Sequence, residues 1–130
     1  MNSDQEKTST CVRFAICAPN LDFAAVTSLL GISPAHEVKL EKYNCWIYEI
    51  CDCDCWDINP MLDQLTRIFE PRRAELLRIA LRFQAQLHID ILIDYGSHTM
   101  NFTIDHRLST FIYEINATVV IETSLKNPIA

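Results

Sequence analysis

From Cys11 to Cys17 the apolar Val12, Phe14 and Ile16 alternate with Cys11, Arg13, Ala15 and Cys17, the period of two of a half-buried strand. Pro19 and Asn20 end it. Asn20 is placed to N-cap a helix through Leu30 in which Leu21, Ala25, Val26 and Leu29 recur at helical spacing, and Gly31 falls where a left-handed cap belongs. Beyond Ile32-Ser33-Pro34, residues 36–40 and 44–51 read as extended segments around Glu41-Lys42-Tyr43, most simply a hairpin.

Asp57 is placed to cap a helix whose Ile58, Met61, Leu62, Leu65, Ile68 and Phe69 form an i, i+3, i+4 stripe. Pro71 interrupts it, and a second helix from about Arg72 to Gln84 carries Leu76, Leu77, Ala80, Leu81 and Phe83. Leu87, Ile89, Ile91 and Ile93 then alternate with His88, Asp90, Leu92 and Asp94, the clearest strand in the chain. After Tyr95-Gly96-Ser97-His98, Met100 to Ile104 reads as a short returning strand. Asp105 caps a helix bearing Leu108, Phe111, Ile112 and Ile115, and the β-branched run Ala117 to Glu122 closes the pattern. Strands interleaved with helices around a hairpin imply an α+β domain, a mostly antiparallel sheet with helices packed on one face, ferredoxin-like in general type.

Length and composition narrow this picture. A chain of 130 residues, 49% apolar, has enough core for one domain, expected over residues 11–123, with a polar N-terminal tail at 1–10 and a C-terminal tail at 124–130. No run approaches the roughly 20 apolar residues of a bilayer span, and Met1 to Lys7 is polar, so the protein is expected in the cytoplasm with its six cysteines reduced. The asparagines of Asn101-Phe102-Thr103 and Asn116-Ala117-Thr118 are then unmodified. A net charge of −6 disfavours nucleic acid and anionic membrane surfaces but leaves a basic protein partner open. With only Gly31 and Gly96, no phosphate-cradling loop can be written.

One resemblance spans nearly the whole chain. A strand, Asn20-Leu21-Asp22, then Leu30-Gly31-Ile32-Ser33-Pro34, then a tryptophan strand at Trp46 resembles the bacterial domain-of-unknown-function family 4279, and a leucine-rich helical pair, the Ile-rich strand at 88–93 and the closing helix and strand at 107–122 continue the likeness. It departs where the family is expected to carry a glycine and a lysine after the proline turn, since Glu41-Lys42-Tyr43-Asn44 stands here. The resemblance implies a small bacterial or phage-associated α+β domain without known chemistry.

Four groups of residues carry candidate chemistry. In Cys51-Asp52-Cys53-Asp54-Cys55, three thiols with Cys45 nearby offer a four-sulfur zinc set, but alternate positions on a flat strand aim their sulfurs along a line, and buried cysteine commonly acts as an apolar filler. No metal or other cofactor is assigned on this basis. His36, His88, His98 and His106 could serve a cysteine nucleophile only if the fold brings one close, and His88, Asp90, Asp94, Asp105 and His106 include acid-base types on what reads as a solvated strand face and a helix cap. Arg67, Arg72, Arg73, Arg78 and Arg82 form a basic helical region that Glu70 and Glu75 can neutralise at i, i+3 spacing. Finally, Glu49, Asp52, Asp54 and Asp57 interleave with Trp46, Tyr48 and Trp56; alternation buries Trp46 and Tyr48 and leaves Trp56 free at the strand's end.

The leading expectation is a non-enzymatic protein-binding module without catalytic residues, of inhibitor or immunity type, meeting a basic partner through Glu49, Asp52, Asp54, Trp56 and Asp57. A zinc domain using Cys45, Cys51, Cys53 and Cys55 is the first alternative, and a small-molecule enzyme around His88, Asp90 and His106 the second.

Overall fold

A computed structural model describes residues 7–126. Its elements are β1 (Ser9–Ala18), α1 (Phe23–Leu30), β2 (His36–Lys39), β3 (Asn44–Asp52), α2 (Asn59–Phe69), α3 (Arg73–Phe83), β4 (Gln86–Tyr95), α4 (His106–Ile115) and β5 (Thr118–Leu125), with a 3-10 turn at Glu70–Arg72 between α2 and α3. The strands form one sheet in the order β2-β3-β1-β4-β5. β1 pairs antiparallel with β3 and β4, β3 antiparallel with β2, and β4 parallel with β5. The segment β1-α1-β2-β3-α2-α3-β4 thus has the split βαβ layout of a ferredoxin-like domain, and α4-β5 adds a parallel edge strand through a helical crossover.

Strand parity decides the rest. Val12, Phe14 and Ile16 of β1, Trp46 of β3, and Leu87, Ile89, Ile91 and Ile93 of β4 are buried with Leu62, Leu65 and Phe69 of α2, Leu76 and Ile79 of α3, and Leu108, Phe111 and Ile115 of α4. At the centre Phe14 stacks on Phe69, ring centroids 4.2 Å apart, while Trp46 and Tyr48 meet the edge of the same ring. Trp46 satisfies its indole N–H on Thr27 Oγ1 of α1 at 3.0 Å, so α1 lies in the same helical layer. No helix of the described residues is long and apolar enough to cross a membrane.

Several boundaries differ from the expectations. The N-cap of α1 is Asp22, whose carboxylate accepts the Ala25 N–H at 3.1 Å, because Pro19 and Asn20 are taken up in the turn that leaves β1. Met100 to Ile104 is no strand: Asn101 makes only an isolated bridge to Asp57, since the segment lies beside the start of α2 rather than along the sheet. Order begins before Cys11, with Thr8 buried and β1 starting at Ser9, and β5 continues to Leu125. Residues 1–6 and 127–130 of the expected tails lie outside the described residues. Gly31, at φ +72°, and the Asp105 cap stand where expected.

The expectation of reduced thiols is corrected for four of the six cysteines. The β1–β3 register sets Cys11 opposite Cys51 and Cys17 opposite Cys45, with Cα atoms 4.1 and 4.3 Å apart, and both pairs are disulfide-bonded. Closely spaced antiparallel pairs bring opposite side chains into contact, which linear spacing between residues 40 and 28 positions apart cannot reveal.

Phe69→Ala is expected to remove about 3–5 kcal/mol of stability, because the ring is fully buried against three aromatics. Leu81→Ala, on the exposed side of α3, is expected to stay within about 0.5 kcal/mol. Urea unfolding of both variants measures the contrast.

Candidate partner-binding surface

At the end of β3 the chain leaves the sheet and turns into α2 through Cys53 to Ile58. Two aspartates build this turn: Asp52 accepts the Asp54 N–H at 3.1 Å, and Asp57 accepts the Asn59 N–H at 3.0 Å, opening the first turn of α2. Three backbone bonds brace the loop. Cys55 N–H donates to Thr8 O at 2.8 Å, Asn101 N–H to Trp56 O at 2.9 Å, and Ile58 N–H to Asn101 O at 3.1 Å. Buried Thr8 in turn accepts the Gly96 N–H at 3.0 Å and donates its hydroxyl to His98 O, tying the start of β1 to the segment after β4.

This bracing leaves Trp56 projecting. It is 61% exposed, yet its ring lies flat on His98, centroids 3.6 Å apart and planes 6° from parallel. Asp52, Asp54 and Asp57 are exposed beside it. Asp54 lies 3.9 Å from Lys7, a weak solvated contact, and 3.5 Å from the ring of the largely buried His98. Four of the five expected contact residues therefore cluster at the end of β3 and in the loop that follows it. Glu49 does not: it faces the uncovered side of the sheet, bonded to Arg13 with His36 at 3.5 Å.

That uncovered face carries the alternate residues of every strand. A groove of about 700 Å³ crosses it, lined by Ala15, Tyr43, Ile47, His88, Asp90 and Glu122. Burial pushes the Asp90 carboxyl up, and the negative charge of Glu122 adds to this, while His88 and Arg13 oppose it. Near the Trp56 end, Asp94 accepts the Ser124 hydroxyl at 2.9 Å. His106 opens α4 and does not line the groove, so the grouping of His88, Asp90 and His106 is not formed.

The four-sulfur zinc set is not formed either. Cys45 is bonded to Cys17 and Cys51 to Cys11, Cys53 is exposed, and Cys55 is buried, with burial the main cause of its raised thiol pKa. Three of the five arginines of the basic helical region take partners different from those expected by spacing. Arg72 donates to Leu30 O at 2.7 Å and Ile68 O at 2.6 Å, Arg73 pairs with Glu114 at 2.8 Å, Arg67 with Asp63 at 2.8 Å, and Glu70 with Arg107 at 2.9 Å.

The family model described as Domain of unknown function (DUF4279) matches residues 6–126. The chain belongs to the DUF4279 family. No curated protein and no solved structure matches it. The matched span takes in Thr8, the Trp56 loop and β5, so the surface described above lies within the DUF4279 domain. Sequence reasoning missed His98 as the platform of Trp56 and Thr8 as the brace of its loop. Neither carries a local signal, because Thr8 bonds His98 across 90 positions of chain and each meets the Trp56 loop only through tertiary contact.

Two measurements probe these environments. In the folded protein Cys53 is expected to react with iodoacetamide well before Cys55, since burial both shields the Cys55 thiol and holds back its thiolate; peptide mass spectrometry reads the order. Because the folded-state pKa of Asp90 lies above 3.8, its contribution to stability is fully present below about that pH and is lost as the pH rises through the folded value. Asp90→Asn is therefore expected to raise the urea midpoint at pH 7, with the difference vanishing as the pH falls towards 3.8.

Proposed function

We propose that this DUF4279 domain is a non-enzymatic binding module for a basic protein, acting as inhibitor and immunity proteins do when they occupy the cationic cleft of a toxin or nucleic-acid enzyme. The observation that carries the reading is Trp56, a large aromatic ring that is 61% exposed but held flat on His98 and flanked by exposed Asp52, Asp54 and Asp57. An exposed tryptophan already fixed in place loses little conformational entropy on binding, and such rings are the usual energetic anchors of protein interfaces. The aspartates supply orientation and long-range attraction, and the net charge of −6 has the sign that draws a cationic surface in. Glu49, Asp90, Asp94 and Glu122 continue that sign across the uncovered sheet face, relieved there by Arg13 and Lys42.

A photo-crosslinking side chain at position 56 is expected to trap a basic protein from the native host, and the same group at Tyr113, exposed on α4, is expected not to. With the trapped protein purified, Trp56→Ala should raise Kd by about thirtyfold, the equivalent of about 2 kcal/mol. Asp52→Lys with Asp54→Lys should slow association and flatten its salt dependence, with a stability loss limited to about 0.5–1.5 kcal/mol for the Asp52 turn bond. Normal binding by both variants would place the interface elsewhere.

A further inference from the structure

The uncovered sheet face carries two cross-strand cysteine pairs of almost identical geometry in unequal surroundings. Beside Cys17 and Cys45 the same face offers Ala15, Ile47, Val38 and Gln86, and His88, opposite Ala15 in the same groove, forms no three-ligand group with them. Beside Cys11 and Cys51 stands Glu49, two residues before Cys51 on β3 and therefore on the same face. A carboxylate oxygen of Glu49 and the sulfurs of Cys11 and Cys51 all lie within 4.8 Å of one another. His36 on β2 adds an imidazole nitrogen 3.5 Å from the second side of that carboxylate.

We propose that Cys11, Cys51 and Glu49 form a zinc-binding site that opens when the Cys11–Cys51 disulfide is reduced. A dithiol supplies two electrons and two protons, leaving as its own disulfide and converting the pair to two thiols. Zinc then displaces both thiol protons to solvent and takes the two sulfurs as thiolates. Tetrahedral zinc with Zn–S bonds of about 2.3 Å requires sulfurs about 3.8 Å apart. Rotation about χ1 supplies that separation without moving strands whose Cα atoms stand 4.1 Å apart. The triangle comes from the cross-strand neighbour: alternate residues on one strand place ligands along a line, and Cys11 on β1 stands to the side of it.

Charge and access agree with this assignment. Two thiolates and one carboxylate carry three negative charges, which the divalent ion and the Arg13 guanidinium on Glu49 Oε2 together balance. Arg13 also fixes the carboxylate in place, as an outer partner of a metal ligand does. Cys51 is exposed and Cys11 half-buried, so the ion enters from solvent. Water completes the fourth position. Oxidation removes both thiolates and with them the site, so occupancy follows the redox state. The assignment stands apart from the partner-binding reading, which rests on Trp56.

The full-length protein, reduced with dithiol and exchanged anaerobically into reductant-free buffer, is titrated with Co2+ as a spectroscopic substitute for zinc. One equivalent should give a thiolate-to-cobalt charge-transfer band that zinc abolishes, while untreated, disulfide-bonded protein gives none. Zinc should lower the alkylation rates of Cys11 and Cys51 but leave those of Cys17 and the buried Cys45 as they are without zinc, so the second pair is an internal control. Cys53→Ser should bind as the parent does. Glu49→Gln, which keeps shape and both disulfides, should weaken Co2+ at least about tenfold, the lower bound for losing even an outer partner of a metal site. No charge-transfer band in the reduced protein, equal protection of both pairs, or undiminished affinity in Glu49→Gln would each overturn the site.

Discussion

The contact between Phe14 and Phe69 decides which side of the sheet is inside. Phe14 lies near the middle of the middle strand, and Phe69 ends the helix that crosses it, so one stacked pair at 4.2 Å holds the helical layer against the sheet. Trp46 and Tyr48 meet the same ring from β3. Once Phe14 faces the helices, the period of two sends Val12 and Ile16 inward with it and sends Cys11, Arg13, Ala15 and Cys17 to the other side. The bare face, its groove and its charged and sulfur-bearing rows all follow from that choice of side.

A bare face on an antiparallel sheet needs polar residues, and here they occur as cross-strand sets rather than singly. Arg13 lies between Glu49 and Asp90 in one row, and its single positive charge does not cancel both, so the face keeps an acidic excess. The two disulfides bracket this row and join β1 to β3 on the side that no helix covers. They thus cross-link the half of the sheet that lacks packing support from outside.

The Trp56 loop shows a different economy. Its ring gains little from burial, so its position depends on backbone bonds to Thr8 and Asn101 and on the His98 platform. Those partners come from the segments before β1 and after β4, which the β1–β4 pairing carries to the same end of the sheet. A rigid exposed aromatic among aspartates is therefore a product of sheet pairing, although Trp56 and its aspartates were visible as candidates beforehand.

Local periodicity made the elements legible: the β1 and β4 alternation, the α2 stripe, the Pro71 break, the Gly31 stop and the Asp105 cap depend only on neighbours within about four positions, and each appears in the structure. The α+β class and the DUF4279 membership were legible for the same reason, being read from the order of such elements. Register between distant strands was not legible. It sets Cys11 against Cys51 and brings His98 under Trp56. Those relations come from packing of the whole sheet against one helical layer, which fixes strand order and face together, and no spacing along the chain encodes them.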